Sequence, residues 1–291
     1  MTIDNSSKDI LSSSDFTLEE VLAIAIKAAL AAGEKIVEML YSAEVHEKSP
    51  RDLVTDADVA AQAIIYEILL GRYPDHQFVG EEGAPSRNAS SVDVVSSIVP
   101  QDCWCWVVDP IDGTTNYVHR FPNFAVSIAL VRSGISYLGV IYDPMAKDLF
   151  TATLGLGATL NGEAIQASGC SEMEQALIAA SFPPNVQRGS IEVEQFLEVL
   201  VEAQSLRRLG SAALNLCYVA CGRLDGYWAG KVRSWDVAAG VLIAQEAGCT
   251  LTAMNGGPFV LDRGDLVVAA SPELHSKLVD CLNRVRSGIK R

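Results

Sequence analysis

The chain has 291 residues, of which 49% are hydrophobic, and a formal net charge of −14 at pH 7. This length and apolar content suffice for a substantial core, in one large domain or two smaller ones. The acidic balance argues against direct nucleic-acid binding, which depends on Lys and Arg clustered against phosphates. No secretory signal or membrane-spanning apolar run is present, so we expect a cytoplasmic protein with a disordered, serine-rich tail at residues 1–16.

Cysteine and histidine spacing bears on redox state and metal binding. The seven cysteines contain no CxxC pair, which favours free, mostly buried thiols over a disulfide framework. The four histidines lie far apart in the sequence and form no HxxxH pair. The spacing therefore does not favour a zinc site.

The N-terminal part is predicted to begin with two helices and to continue as a sheet. Thr17 and Glu20 form a capping-box pattern, and apolar residues then recur at helical spacing toward Tyr41. Residues 48–52 contain a proline and predict a loop or turn, and a second helix follows at about 55–70. Short apolar runs predict five strands, with a hairpin turn at 133–134: 77–79, 104–108, 124–131, 136–142 and 149–153.

Further along the chain, helices and strands alternate. The glycine-rich segment 155–162 lacks the third glycine of a dinucleotide fingerprint and predicts a turn. The predicted helices lie at 191–203, 212–220, 236–247 and from 272, and the predicted strands lie near 207 and at 225–228, 249–253 and 266–269. We divide the chain into an α+β half at 17–160 and an α/β half at 161–291, although a boundary at the two prolines 183–184 is equally compatible.

The strongest chemical signal is the segment WVVDPIDGTTNY at 106–117. Its apolar run ends at Asp109 and Asp112 follows three residues later, so two carboxylates leave the end of a predicted strand. Gly113 permits a positive φ, and the amides of Gly113 and Thr114 can begin a helix that faces an anion. This pattern suits a metal ion and a phosphate, although a proline turn whose carboxylates only cap the backbone is an alternative.

Two further segments place acidic residues near predicted element ends. Glu81 and Glu82 follow a short apolar run within GEEG at 80–83, where a solvated acidic turn is the alternative. Asp236 stands at the start of an apolar helix, where a carboxylate also satisfies backbone donors. Together these segments supply oxygen ligands and almost no nitrogen or sulfur, which favours Mg²⁺ over zinc.

With LVTDAD at 53–58, these segments resemble the inositol monophosphatase family of lithium-sensitive, magnesium-dependent phosphatases, from about residue 18 onward. The resemblance implies an α+β fold, a five-layered αβαβα sandwich of the sugar phosphatase type, usually a homodimer. It also implies two to three Mg²⁺ ions per site. The metal ligands that it implies are Glu81, Asp109, the carbonyl of Ile111, Asp112 and Asp236.

The resemblance further assigns catalytic and substrate-binding roles. The residues implied to orient the attacking water are Glu81, Thr114 and Asp58. The implied substrate contacts are Asp112, Gly113, Thr114, Gly210, Ser211, Ala212, Ala229 and Asp236. The implied reaction is hydrolysis of a small phosphorylated polyol, foremost inositol monophosphate, by metal-activated water.

One position departs from the family pattern. Inositol-preferring members commonly carry a glutamate where this chain has Ala229, so a hydrogen bond to the polyol is missing. Histidinol phosphate, a sugar phosphate or a bisphosphate are therefore alternative substrates, and Lys231 or Arg233 is a candidate contact for a second anionic group.

Three competing interpretations rest on other features. Cys217 and Arg223 fit the Cx5R pattern of cysteine phosphatases, but the intervening residues are apolar and helical. Asp56 and Asp58 fit DxD, as in haloacid dehalogenase-type phosphatases, but the flanking residues differ from that pattern. A third possibility is a binding partner of a transcription complex with vestigial catalysis, against which the intact set of acids argues.

Overall fold

The computed structural model describes residues 17–83, 99–183 and 185–286. The predicted tail at 1–16 and Pro184 lie outside these residues. Within them the helices are α1 Leu18–Met39, α2 Asp56–Arg72, α3 Thr114–Val118, α4 Ile191–Glu202, α5 Ala212–Ala220, α6 Ser234–Glu246 and α7 Pro272–Arg286. No helix in the described ranges is long and apolar enough to cross a membrane.

The described strands form two sheets and a hairpin. The strands are β1 Val45–Ser49, β2 Asp52–Thr55, β3 Gln77–Gly80, β4 Cys105–Asp112, β5 Ala125–Arg132, β6 Ile135–Asp143, β7 Asp148–Thr153, β8 Gly157–Leu160, β9 Glu163–Ala164, β10 Leu177–Ser181, β11 Ser205–Arg207, β12 Gly226–Gly230, β13 Thr250–Thr252 and β14 Asp265–Ala269. Strands β3 to β9 form a seven-stranded sheet in chain order, and a five-stranded sheet has the order β11-β10-β12-β14-β13. Strands β1 and β2 pair only with each other.

The elements stack in five layers, αβαβα, which confirms the predicted fold class. Helices α1 and α2 cover one face of the seven-stranded sheet, and α5 and α6 cover its other face. The same α5 and α6 contact the five-stranded sheet, whose far side is covered by α4 and α7. Because α6 lies between two sheets, it is buried almost all round, which accounts for its continuous apolar sequence VAAGVLIA.

Most predicted elements are confirmed within one or two residues, including the Thr17 capping box and the hairpin turn at Ser133 and Gly134. The turn predicted at 48–52 is confirmed as the tip of the β1-β2 hairpin, and two predictions were wrong in part. The segment 155–162 contains strand β8 rather than a turn alone. The strand through Asp109 does not end there but continues to Asp112, and strand β10 was not predicted.

The predicted boundary near residue 160 stays a prediction. Strand β9 lies beyond it and completes the seven-stranded sheet by pairing with β8. The apolar cluster between the two sheets also draws residues from both predicted halves, among them Val107, Leu216 and Val268. All seven cysteines are free, as predicted.

Candidate metal and phosphate site

A β-bulge in strand β4 brings two acidic side chains to one side of the sheet. Asp109 lies opposite Ser127 and Asp112 lies opposite Ala125, so three steps along β4 match two along β5. In a regular strand, residues three apart face opposite sides, and one extra residue restores a common side. The Asp109 carboxylate also accepts a hydrogen bond from the Ile111 amide at 3.0 Å, which holds the bulge.

Asp109, Asp112 and Asp236 converge although 127 residues separate the first from the last. Each offers one carboxylate oxygen, and these oxygens all lie within 4.8 Å of one another. Asp109 is 2% exposed and Asp112 is 7% exposed. The Asp236 carboxylate accepts from the Arg233 amide at 2.8 Å, so the helix-capping contact predicted as an alternative coexists with this convergence.

Burial and mutual repulsion make the ionised form of these carboxylates costly. Burial raises the pKa of Asp112 to about 6, against hydrogen bonds that lower it. The pKa values of Asp109 and Asp236 are raised well above the ordinary range by burial, and the charges of neighbouring acids add to this effect. A divalent cation removes the repulsion, and oxygen-only donors fit Mg²⁺. The donor set thus fits the implied metal.

The segment that leads into α5 is fixed against this cluster. The Ser211 hydroxyl donates to Asp112 at 2.5 Å and the Ala213 amide donates to the same carboxylate at 2.6 Å. Gly210 has φ +95°, and a Cβ there would lie 2.7 Å from the Asn116 side chain. The segment predicted to contact substrate therefore also orients Asp112, through a Ser211 side chain whose role the sequence did not indicate.

Asp58 and Thr114 meet from different parts of the chain. The Thr114 hydroxyl lies 3.4 Å from an Asp58 carboxylate oxygen and 3.1 Å from the Ile111 carbonyl. The other Asp58 oxygen accepts from the amide and hydroxyl of Thr55. Burial raises the pKa of Asp58 to about 7, an effect strengthened by Glu82 and Glu81. Gly113 precedes Thr114 with φ +103°, as predicted from the motif.

Glu81 lies in a loop that is held from two sides. Its carboxylate accepts from Lys48 at 3.0 Å, and Lys48 also contacts Glu82 at 2.6 Å. The buried Gln62 accepts from the Glu82 amide at 3.1 Å and donates to the Gly83 carbonyl. Sequence analysis missed both Lys48 and Gln62, and only the spatial contacts reveal them.

The cluster of converging carboxylates does not include Glu81, and two further predicted features also lie outside it. Ala229 is fully buried in β12, in the core between the sheets, so its contact with substrate stays a prediction. Cys217 is fully buried in α5, and burial raises its pKa well above the ordinary value. Arg223 instead pairs with Asp148 at 2.5 Å. A cysteine phosphatase needs an accessible thiolate, which this geometry does not provide.

The five-layered αβαβα fold, with three carboxylates that converge beside a bulged strand, is the fold of inositol monophosphatase and SuhB structures. The sequence model of the Inositol monophosphatase family matches residues 17–287, and the chain belongs to that family. The resemblance noted from the motifs is thereby confirmed.

Several known proteins are similar to this chain. The Nus factor SuhB of Vibrio cholerae is 40% identical over 262 residues, covering 88% of this chain and 92% of the relative. The inositol-1-monophosphatase of Synechocystis sp. is 38% identical over 278 residues, covering 94% of this chain and 92% of the relative. The structure of extragenic suppressor protein suhB from Bartonella henselae has a TM-score of 0.81 at 34% identity, covering 91% and 99%. The inositol monophosphate-bound structure of SaIMPase-II has a TM-score of 0.75 at 30% identity, covering 93% and 96%.

Proposed function

We propose that the protein is a Mg²⁺-dependent phosphatase that hydrolyses a small phosphate monoester, with inositol monophosphate as the first substrate to test. The observation that carries the proposal is the convergence of Asp109, Asp112 and Asp236 on one point, with carboxylates whose ionised form burial disfavours. Family membership and the inositol monophosphate bound to SaIMPase-II support the substrate class.

In this proposal the protein's residues hold the ions, the water and the phosphate. Glu81, Asp109, the Ile111 carbonyl, Asp112 and Asp236 are the ligands of two to three Mg²⁺. When bound, Mg²⁺ lowers the pKa of water and neutralises charge on the phosphate and the leaving alkoxide.

Thr114 orients the attacking water. Its hydroxyl donates toward Asp58 or the Ile111 carbonyl, which leaves the hydroxyl oxygen free to accept from water. Glu81 is the second residue assigned to orient this water, and the Gly113 and Thr114 amides, at the start of α3, donate to the phosphate oxygens. Gly210, Ser211 and Ala212 contact the polyol. No covalent enzyme intermediate is required.

The test is phosphate release from inositol 1-phosphate with and without Mg²⁺. Asp109→Asn keeps the shape of the side chain but removes its charge, so we expect turnover to fall by at least about 100-fold, or roughly 2.7 kcal/mol. Circular dichroism checks that the variant is folded, and Asp75→Asn, at an exposed position, serves as the matched control. Wild-type turnover in Asp109→Asn contradicts the assignment.

The substrate panel also includes histidinol phosphate and fructose 1,6-bisphosphate. A cavity of about 240 Å³ is lined by Lys231, Arg233 and Arg263 together with Asp262, and this mainly cationic lining suits an alternative substrate with a second anionic group. A higher kcat/KM for the bisphosphate than for inositol 1-phosphate supports that alternative. Lithium in the same assay tests the predicted sensitivity, and gel filtration tests the predicted homodimer.

A second candidate function is partnership with a transcription complex, which the 40% identity to a Nus factor favours. The net charge of −14 makes a protein partner more suitable than direct nucleic-acid contact. Absence of phosphate release from every substrate in the panel, in a folded protein with Mg²⁺, supports this candidate over the phosphatase.

A further inference from the structure

We infer a second metal site, separate from the carboxylate cluster, at the base of the β1-β2 hairpin. Glu44, His46 and Asp56 each offer one ligand atom, and these atoms all lie within 4.8 Å of one another. His46 Nε2 is already 3.1 Å from an Asp56 carboxylate oxygen. The chemistry of one imidazole and two carboxylates fits a borderline divalent cation of the Zn²⁺ type.

The backbone fixes the relative positions of the three side chains. In the hairpin, Val45 pairs with Thr55 and His46 pairs with Val54. The Asp56 amide donates to the Glu44 carbonyl at 3.2 Å, so the pairing extends one step beyond the strands. Residues two apart on a strand share a face, which places Glu44 and His46 together, and Asp56 lies directly across from Glu44.

The hairpin site differs in chemistry from the carboxylate cluster. The cluster offers only oxygen and is buried at Asp109 and Asp112, whereas the hairpin site includes a nitrogen ligand and is exposed on all three residues. Mg²⁺ prefers oxygen and retains its own waters, so it competes weakly for an imidazole. Solvent exposure leaves room for water to complete a tetrahedral shell around Zn²⁺.

This site was not expected from sequence, because histidine spacing alone did not favour zinc. The proposed site has two carboxylates and a single histidine instead of the HxxxH pair that sequence analysis looked for. Asp56 is also ten residues from His46 along the chain. Only the antiparallel pairing of the hairpin brings these residues together.

Occupancy of this site ties the hairpin to the start of α2. The hairpin also carries Lys48, which contacts Glu81 and Glu82. Zn²⁺ bound at Glu44, His46 and Asp56 therefore restrains the segment that holds Lys48. The proposal does not depend on phosphatase activity, because it concerns ligands outside the carboxylate cluster.

The test follows the imidazole nitrogens of the full-length protein by NMR during a Zn²⁺ titration in excess Mg²⁺. The four histidines are few enough to assign by single substitutions. We expect the His46 ring signals to shift on addition of up to one equivalent of Zn²⁺, while those of exposed His119 do not. Glu44→Gln and Asp56→Asn should each weaken the binding at His46 at least tenfold.

Glu47→Gln is the matched control, because Glu47 is an exposed neighbour on the opposite face of β1. It should leave the apparent Zn²⁺ affinity at His46 unchanged. The proposal is overturned if His46 does not respond to Zn²⁺, or if it responds equally in the Glu44→Gln and Asp56→Asn variants. The latter result would mean that a lone imidazole binds the ion.

Discussion

At the scale of single residues, the carboxylates of the candidate site are suited to binding a metal ion, although they destabilise the metal-free protein. Asp109, Asp112 and Asp58 are buried, and each has a raised pKa because burial disfavours its charge. A protein selected for stability alone has no reason to bring such groups together. Their proximity is therefore best explained by a cation that binds the ionised form.

The free-energy cost of ionising these buried carboxylates predicts how the stability of the protein depends on pH. Burial raises the pKa of Asp112 to about 6 and that of Asp58 to about 7, both above the unfolded value. The metal-free native state therefore binds more protons than the unfolded state across roughly pH 4 to 7, and its stability falls as pH rises through that range. Mg²⁺ requires ionised ligands, so its stabilising effect rises over the same range.

We therefore expect the difference in Tm between Mg²⁺-saturated and chelated protein to be larger at about pH 8 than at about pH 5. Thermal unfolding followed by circular dichroism at the two pH values measures this difference. In Asp109→Asn, which lacks one of the carboxylate charges, the Mg²⁺-induced difference in Tm should depend less on pH. A Mg²⁺ effect on Tm that is the same at both pH values contradicts the role given to these carboxylates.

At the scale of elements, the structure shows how α2 positions the loop that carries Glu81. Gln62 is 3% exposed and binds both the Glu82 amide and the Gly83 carbonyl. Gly80 allows this approach, because a Cβ there would lie 2.3 Å from the Gln62 amide oxygen. The position of Glu81 therefore depends on a side chain that does not belong to the proposed ligand set.

Gln62→Leu tests this dependence. The variant removes both hydrogen bonds to the loop, so we expect the Mg²⁺ concentration for half-maximal activity to rise roughly tenfold, about 1.4 kcal/mol. At saturating Mg²⁺, kcat should recover most of its value. Val59→Ala, an exposed change on the same helix, is the control. An unchanged Mg²⁺ requirement in Gln62→Leu argues against a positioning role.

The close contact between the seven-stranded sheet and helix α6 depends on a glycine in strand β6. A Cβ on Gly139, in β6, would lie 2.7 Å from the Ala239 carbonyl oxygen in α6, the helix that carries Asp236. Gly139→Ala should therefore lower the free energy of unfolding by about 1–3 kcal/mol. Gly71→Ala, where a Cβ meets nothing within 4 Å, should instead raise it by about 0.5–1 kcal/mol. Urea unfolding distinguishes the two, and equal effects would contradict the close packing.

Elements with strong local signals were predictable from sequence. Helix α1 has a capping box and an apolar stripe, and β5 and β6 are apolar runs joined by a tight turn. Strand β1 escaped prediction because all five residues of VHEKS are exposed, so no alternation of polar and apolar residues marks it. Strand β10, LIAAS, is short and small-residue-rich, and such a run does not distinguish strand from helix.

The acidic residues of the site were predictable because each follows or precedes a recognisable element, and the resemblance to a known family supplied their roles. Their supporting partners were not predictable. Ser211 and Asp112 are 99 residues apart, and the Gln62 side chain meets a loop about 20 residues away. Local pattern says nothing about such pairs, because tertiary packing alone determines them.

At the scale of the whole molecule, the site depends on all of the layers. Asp109 and Asp112 come from the seven-stranded sheet, and Asp236 comes from a helix packed between the two sheets. The apolar cluster around that helix includes residues from both predicted halves. If this shared core holds the chain together, the two halves should not unfold separately.

We therefore expect a single cooperative transition in urea for the metal-free protein. Trp104 and Trp106 report on the N-terminal half, and Trp228 and Trp235 report on the C-terminal half. Two variants, each with one tryptophan pair replaced by phenylalanine, should give fluorescence midpoints that coincide with their own circular dichroism midpoints. Within either variant, two separated midpoints would show that the halves are independent domains. The shared core would then be an interface between domains that need not unfold together.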